Sequence, residues 1–199
     1  MNHFFICRHC KSVLAGPDTE RDLDSDGLLQ SKSLSNKISE LIDSNTIIYS
    51  SPFKRAVESL MPLKKKLPSV EIKEVEELKE INIGKSEDFS KHQIIEQMWK
   101  DQNFKVKNGE SQKECFIRMK PFLDKLFSEY KNEKKNIILV THGNLIGIII
   151  KFYFGLSFDF KMWKSISMPD FYKLEFDENY MASNFKRDVA NIENLFYVK

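Results

Sequence analysis

Short runs of apolar and β-branched residues recur along the chain and predict the strands of a sheet. These runs occupy residues 4–7, 46–50, 70–75, 137–141 and 171–176. The runs 70–75 and 171–176 alternate apolar with polar residues, as half-exposed strands do, and we expect 171–176 to lie at a sheet edge. The run 137–141 is apolar almost throughout, which is typical of a central parallel strand.

The stretches between these runs repeat their apolar residues every three or four positions, which predicts amphipathic helices. The clearest helical stripes lie at residues 34–42, 56–67 and 116–130. Asp24 or Ser25 suits the N-cap of the first helix, because a short polar side chain can accept a hydrogen bond from the first turn. Pro62 and Pro121 lie inside the other two patterns, and we expect each proline to kink or break its helix by removing an amide donor.

Strands that alternate with helices predict an α/β fold, a three-layer sandwich in which helices flank a mostly parallel central sheet. The length of 199 residues corresponds to one domain, so we expect a single domain over residues 1–199. In folds of this kind, ligands bind outside the carboxyl ends of the strands. The residues that directly follow the predicted strands are therefore the candidates for function.

Composition and charge exclude several function classes. A hydrophobic share of 41% and a charged share of 30% exclude a disordered or collagen-like chain. The net charge of +2 lacks the basic excess that is typical of nucleic-acid-binding proteins.

The N-terminus does not resemble a signal peptide, and the longest apolar stretch, 145–156, is too short to span a bilayer. We therefore expect a cytoplasmic protein with neither a nucleic-acid nor a membrane partner.

Two histidines, two arginines and a glutamate follow the predicted strands. They are Arg8, His9, Arg55, Glu80 and His142. Taken singly, each is more often a surface or packing residue than a functional one. The chain has only 4 histidines, however, and two of them directly follow the two most apolar strands. That placement indicates a shared site.

This combination of side chains suits phosphoryl transfer. A phosphoryl group is strongly anionic, and the planar fork of arginine binds two of its oxygens at once. A neutral imidazole is a nucleophile that needs no metal, and a nearby carboxylic acid can protonate the leaving alkoxide. The residues therefore predict a hydrolase that forms a phosphohistidine.

The same residues lie in a series of short motifs that covers most of residues 3–147. The motifs are Arg8-His9-Cys10-Lys11-Ser12, Leu23 to Ser31, Ser50 to Ala56, Leu78 to Gly84, Gly109-Glu110-Ser111 with Arg118 to Phe122, and Val140 to Gly143. In this order they resemble segments of the histidine phosphatase superfamily, also called the phosphoglycerate mutase-like family. The resemblance is to its phosphatase branch.

The resemblance implies a role for each candidate residue. His9 is the nucleophile that becomes phosphorylated, and Glu80 protonates the leaving group and later acts as a base toward water. Arg8 and Arg55 hold the phosphate together with His142. The substrate-binding set implied is Arg8, Ser12, Arg55, His142, Gly143 and Asn144. The family needs neither a metal nor a cofactor, and the expected partner is a small-molecule phosphomonoester.

Three departures from the family pattern bear on the site. Cys10 replaces the usual glycine, so the backbone there has to avoid the φ values that only glycine adopts easily. Ala15 replaces an asparagine of many members, which removes one polar phosphate contact. The residues 86–88 differ from the Trp-Glu-Gly that often occurs there, and they leave the substrate specificity open.

Two of these assignments have competitors. Cys7 and Cys10 form a Cys-x-x-Cys motif, but a zinc site needs about four ligands, and no second Cys or His pair follows at metal spacing. Glu77 and Glu87 compete with Glu80 for the role of acid. We favour Glu80 because it holds the family position two residues after a leucine.

The leading hypothesis is a metal-independent phosphomonoesterase that acts on a small phosphorylated metabolite. The alternative within the family is a phosphoglycerate-type mutase, which has a larger and more basic insertion than the short, lid-like one expected here around 85–108. An alternative from another class is a non-catalytic phosphate-binding interaction module, which has no need of all five site residues. The insertion also contains Met98, Trp99 and Phe104, and we expect them to line the pocket rather than to form a lid core.

Overall fold

The computed structural model describes residues 3–130, 133, 135–177 and 181–187 of the chain. These residues form six strands: β1 (His3–Arg8), β2 (Thr46–Ser50), β3 (Ile72–Glu74), β4 (Asn136–Thr141), β5 (Asp170–Phe176) and β6 (Ala182–Arg187). They also form six α-helices: α1 (Ser25–Leu41), α2 (Lys54–Lys66), α3 (Lys91–Lys100), α4 (Gln112–Tyr130), α5 (Gly143–Ile148) and α6 (Phe160–Ser165). A 3₁₀ turn occupies Glu76–Leu78, and α5 continues into a π-helical turn at Ile149–Tyr153. The predicted domain end at residue 199 lies outside the described residues, so the single-domain extent stays a prediction.

One sheet joins the six strands in the order β3-β2-β4-β1-β5-β6. The strands β1 to β4 pair in parallel, whereas β5 runs antiparallel to β1, and β6 runs antiparallel to β5. The apolar run 137–141 lies within β4, at the centre of the parallel part. The prediction of an α/β fold with a mostly parallel sheet is therefore confirmed.

The sheet edges differ from the expectation. The run 171–176 lies within β5, which is not at the edge because β6 pairs with its outer side. The residues of β6, Ala182–Arg187, are mostly polar, and none of them is fully buried. The apolar patterns that predict strands do not reveal a strand of this kind. At the other edge, β3 has only three residues, fewer than the run 70–75.

Helices cover both faces of the sheet and enclose two hydrophobic cores. On one face, Phe5 and Cys7 of β1 pack in a core with α1 and α2. On the other face, Phe4 and Ile6 pack in a core with α3, α4 and α5. Because side chains alternate along a strand, β1 supplies apolar groups to both cores. This arrangement gives the predicted three layers.

The two helical prolines do not interrupt their helices. Pro62 lies inside α2 and Pro121 inside α4, and both helices continue past them. The expectation of a broken helix is wrong, because the tertiary packing of an apolar face stabilises a helix that lacks one backbone hydrogen bond. The apolar stretch 145–156 begins as the buried helix α5. Over the described ranges, no helix is long and apolar enough to cross a membrane.

The segment that follows β1 is hydrogen-bonded to the start of α1. The Asp24 side chain accepts a hydrogen bond of 2.8 Å from the backbone N of Gly27, which confirms the predicted N-cap. The backbone N of Asp24 donates to the Lys11 carbonyl oxygen, and the backbone N of Lys11 donates to Oε1 of Gln30. A β-carbon at Gly27 would overlap that carbonyl oxygen of Lys11. The glycine therefore permits the close approach of the two segments.

We expect Gly27→Ala to lower the free energy of unfolding by about 1–3 kcal/mol, the usual cost of overpacking. Urea denaturation measures this change. The matched control is Lys32→Ala, an exposed position of the same helix, which is expected to keep the wild-type stability. Equal stability of Gly27→Ala and the wild type would contradict the proposed close approach.

Candidate active site

The candidate residues converge at the carboxyl ends of three adjacent strands. Arg8 is the last residue of β1, His142 directly follows β4, and Arg55 lies in the first turn of α2, after β2. Because β1, β4 and β2 are parallel neighbours, their ends meet at one edge of the sheet. A cavity of about 990 Å³ opens there, and its wall includes Arg8, His9, Arg55 and Glu80.

The His9 ring is held in a single tautomer. Its Nδ1 lies 2.6 Å from the Cys10 carbonyl oxygen, and its Nε2 lies 3.1 Å from Nε of Arg55. Arginine only donates hydrogen bonds, so Nε2 accepts, and Nδ1 carries the proton that it donates to the carbonyl. The lone pair of His9 therefore lies on Nε2, the ring atom that contacts Arg55.

Arg55 links the two site histidines. Its side chain is 1% exposed. Its Nε donates to His9, and its Nη2 donates to Nδ1 of His142 over 3.1 Å. His142 in turn donates from Nε2 to the Ser51 hydroxyl over 2.8 Å. One buried guanidinium thus fixes the protonation pattern of both rings, whose centroids lie 5.0 Å apart.

Both histidines are held neutral. Burial lowers the pKa of His9 well below its ordinary value, and the charges of Arg55 and Arg8 lower it further. Burial likewise lowers the pKa of His142 well below the ordinary value, with contributions from His9 and Arg55. A neutral His9 keeps the Nε2 lone pair that nucleophilic attack requires.

Arg8 retains hydrogen-bonding capacity toward an anion. Its Nη1 donates to the carbonyl oxygens of Ile166 and Ser167, at 2.9 and 3.3 Å. Its Nε is buried and has no hydrogen-bond partner within the described residues. A β-carbon at Gly143 would lie 3.2 Å from Cζ of Arg8, so the glycine leaves room for the guanidinium. An anion bound beside Arg8 would give this N–H a partner and remove the cost of leaving it unpaired.

Glu80 lies in the cavity wall, in surroundings that favour its protonated form. Its Oε1 accepts from the backbone N of Ile81 at 2.9 Å, and its Oε2 lies 3.3 Å from the backbone N of Asn144. Burial raises the pKa of Glu80, and the two backbone hydrogen bonds oppose this shift. A raised pKa keeps the carboxyl group protonated at a higher pH than in an exposed glutamate. The competing candidates Glu77 and Glu87 do not line the cavity.

Arg118 and Glu110 hold the backbone segment that carries Glu80. The Nη1 of Arg118 donates to the carbonyl oxygen of Glu77 at 3.0 Å, and its Nε pairs with Glu110 at 2.8 Å. The second carboxylate oxygen of Glu110 accepts from the backbone N of Asn82 at 3.0 Å. These two motif residues therefore act on the site through the backbone on either side of Glu80.

Three of the other predicted binding residues also lie at the cavity, whereas the fully buried His142 is not part of its wall. Ser12, Gly143 and Asn144 are part of its wall. Cys10, which replaces a glycine, is buried behind it. In the described part of the chain, Asn108 is the one non-glycine residue with a positive φ. Cys10 therefore occupies its position without the backbone strain that a positive φ would impose.

In the loop after β1, sequence reasoning missed two charged residues of the cavity wall, Asp18 and Arg21. The Asp18 carboxylate pairs with Arg21 and accepts from Nη2 of Arg55 at 3.3 Å. Nη1 of Arg55 donates to the carbonyl oxygen of Asp18. Their position in a loop that follows a strand end is the one signal that could have found them. Ala15, in the same loop, is exposed and does not line the cavity.

Three apolar residues of the insertion that were expected in the pocket lie outside the cavity wall. Met98 and Trp99 are buried in the core on the α4 face, and Phe104 packs against that core. The expectation that they line the pocket is wrong: none of the three is in the cavity wall, and the Trp99 ring packs against Phe158 and next to Gly147. The lid-like role of 85–108 stays a prediction.

The Cys-x-x-Cys motif consists of two buried free thiols. Burial raises the pKa of the Cys10 thiol to about 12 and also raises the pKa of Cys7 well above its ordinary value. A thiol with a raised pKa is a poor nucleophile and a poor metal ligand at neutral pH. No group of three or more His, Cys, Asp or Glu residues suited to a metal ion occurs in the ranges that the structure describes.

A comparison with family models decides the family. A model of the histidine phosphatase superfamily (branch 1) matches residues 4–187. The chain belongs to the histidine phosphatase superfamily. The prediction of a histidine phosphatase is confirmed at the level of the superfamily. No curated protein sequence matches the chain significantly.

Solved structures of other phosphatases share the fold of this histidine phosphatase superfamily member. A mycobacterial glucosyl-3-phosphoglycerate phosphatase in complex with inorganic phosphate has 17% identity and a TM-score of 0.72, over 95% of this chain and 96% of that one. A histidine-to-alanine variant of phosphoserine phosphatase from Entamoeba histolytica, in complex with phosphoserine, has 20% identity and a TM-score of 0.72, over 93% and 96%. The α-ribazole phosphatase from Shigella flexneri has 18% identity and a TM-score of 0.67, over 90% and 93%.

We expect the two site histidines to make stability depend on pH below 6.5. Their pKa values are lowered by folding, so the unfolded chain binds protons that the folded chain does not. The free energy of unfolding should fall as the pH drops below 6.5, by up to about 1.4 kcal/mol per pH unit for each histidine.

Urea denaturation between pH 5 and 8 tests this expectation. The double variant His9→Gln/His142→Gln should show a shallower pH dependence than the wild type, whatever its absolute stability. His92→Gln, at an exposed position of α3, serves as the control and should keep the wild-type slope. An unchanged slope in the double variant would show that the two rings are not held neutral.

Proposed function

We propose that the chain is a metal-independent phosphomonoesterase that hydrolyses a small phosphorylated metabolite through a phosphohistidine intermediate. The observation that carries this proposal is the state of His9. The Cys10 carbonyl oxygen holds the proton on Nδ1, so the lone pair is on Nε2, beside two arginines. The family membership and the fold of the phosphatases that share it support the proposal.

The phosphoryl group of the substrate binds first, beside Arg8 and Arg55. It supplies an acceptor for the buried Nε of Arg8, and it replaces ring nitrogens as acceptors for the N–H groups of Arg55. Transfer of the Arg55 hydrogen bonds to phosphate oxygens frees Nε2 of His9. The same contacts stabilise the charge on the equatorial oxygens in the transition state.

Chemistry then proceeds in two displacements at phosphorus. The Nε2 lone pair of His9 forms a bond to phosphorus while the ester P–O bond breaks, and Glu80 donates its proton to the departing oxygen. The Glu80 carboxylate next takes a proton from water as the water oxygen attacks phosphorus. The P–N bond breaks, its electron pair returns to Nε2, and inorganic phosphate leaves.

We expect His9→Ala to abolish turnover of p-nitrophenyl phosphate, because no other group forms the bond to phosphorus. The wild type should turn over this ester in the presence of EDTA and release inorganic phosphate. Acid-labile protein-bound phosphate should be trapped when wild-type turnover is quenched, and should be missing in His9→Ala.

His92→Ala is the matched control, since this exposed histidine lies outside the cavity wall, and it should retain full activity. Activity that EDTA removes and a divalent ion restores would contradict the metal-independent mechanism. Transfer of the phosphoryl group to a second hydroxyl, in place of phosphate release, would favour the mutase. Phosphate binding with no turnover of any ester would favour the non-catalytic module.

We expect Glu80→Gln to slow hydrolysis in a way that depends on the leaving group. General acid catalysis contributes roughly 10²–10⁴-fold, so kcat for an alkyl phosphate should fall by a factor in that range. The loss should be small for p-nitrophenyl phosphate, because p-nitrophenolate leaves without a proton. Glu77→Gln, three residues before, is the control and should affect neither ester. If Glu80→Gln lowered kcat equally for both esters, the result would mean that Glu80 positions the phosphate and donates no proton.

A further inference from the structure

The cavity wall carries more positive charge than a phosphoryl group alone requires. Six of its side chains are arginines or lysines, and two are carboxyl groups. A phosphate monoester carries only about two negative charges at neutral pH. Three of the cations are arginines, and the other three form a group that we call the lysine rim: Lys85, Lys91 and Lys107.

The lysines of the insertion divide according to their location. Lys100 pairs with Glu96 at 2.8 Å, and Lys105 pairs with Glu114. Neither of these two lysines lines the cavity. The lysine rim does line the cavity, and none of its members forms an ion pair with any residue that the structure describes. Among the five lysines of the insertion, the protein thus pairs the two outside the cavity with carboxylates and leaves the three at the cavity without such a partner.

Backbone contacts hold two members of the lysine rim close to each other. The Asn82 side chain donates from Nδ2 to the carbonyl oxygen of Asn108 at 2.8 Å. A β-carbon at Gly84 would lie 2.8 Å from the carbonyl oxygen of Lys107, so the two backbone segments are in contact there. Lys85 directly follows this glycine. Asn108, with a φ of 61°, adopts the left-handed conformation that asparagine tolerates.

Lys91 occupies a position that its own helix does not favour. It is the first residue of α3, directly after the N-cap Ser90. A cation at this end of a helix is repelled by the positive end of the helix dipole. Local helix stability therefore gives no reason for a lysine here, whereas an anion in the cavity does.

We propose that the substrate carries a second anionic group, a carboxylate or a second phosphate, and that the lysine rim binds it. This inference rests on the proposed function, since it assigns the leaving-group side of the same site. Ligand pockets commonly span about 300–1,000 Å³, and the cavity of about 990 Å³ leaves room for a carbon skeleton between the arginines and the rim.

Pairs of esters that differ by one anionic group test the proposal. Phospho-L-serine differs from phosphoethanolamine by a carboxylate, and fructose 1,6-bisphosphate differs from fructose 6-phosphate by a phosphate. The wild type should show a kcat/KM at least about ten-fold higher for the more anionic member of one pair, because three exposed contacts of roughly two- to five-fold each combine. The pair that shows the preference identifies the second group as carboxylate or phosphate.

Single variants of the lysine rim assign the preference to these residues. Each of three variants, Lys85→Met, Lys91→Met and Lys107→Met, should raise KM for the preferred ester roughly two- to five-fold more than for the less anionic ester of the same pair. We expect little change in kcat. The preference should also weaken as salt screens the exposed charges. Lys105→Met, two residues from the rim, is the matched control and should leave the preference as in the wild type.

The outcomes separate this inference from the proposed function. An active enzyme with equal kcat/KM for both members of each pair would overturn the inference and leave the phosphatase function standing. An enzyme that hydrolyses no ester would overturn the proposed function. In that case calorimetric binding of the same pairs to His9→Ala decides the inference, and equal affinities within each pair would overturn it.

Discussion

Arg55 is almost fully buried, and a buried guanidinium has to find an acceptor for each of its N–H groups. The acceptors that it contacts are ring nitrogens of His9 and His142 and two oxygens of Asp18. These hydrogen bonds decide which nitrogen of each ring carries a proton. The charge of the guanidinium opposes a second proton on either ring. The nucleophile of the proposed reaction thus depends on a residue from a different strand end.

Burial shifts the pKa values of His9 and Glu80, the two reacting groups of the proposed mechanism, in opposite directions. Loss of solvation disfavours the charged form of any group, so it lowers the pKa of His9 and raises the pKa of Glu80. Both shifts favour the uncharged form, which is the free base of His9 and the acid form of Glu80. The Glu110–Arg118 pair keeps Glu80 in the cavity wall without contact with the proposed reacting atoms.

The positively charged side chains of the cavity differ in burial: Arg55, near the sheet, is buried, and the lysine rim is exposed. Arg55 is buried beside the proposed nucleophile, where low local dielectric strengthens each interaction with a phosphoryl oxygen. The lysine rim is exposed, and water and salt weaken its interactions. Strong contacts thus fall on the group common to all phosphomonoesters. Weak contacts fall on the part that differs among them, and residues there can change without loss of the proposed chemistry.

The central strands and the residues that follow them could be predicted from the sequence, because they depend on local apolar runs and on which residue comes next along the chain. The sequence therefore predicted Arg8, His9 and His142 at one edge of a mostly parallel sheet. The folded structure was needed to establish the tautomers, the directions of the pKa shifts and the place of Asp18 in the cavity wall. The structure also showed that β6 pairs with β5 and that Trp99 belongs to the core. These properties arise from contacts between residues far apart in the chain, and no local pattern encodes which partner a side chain meets.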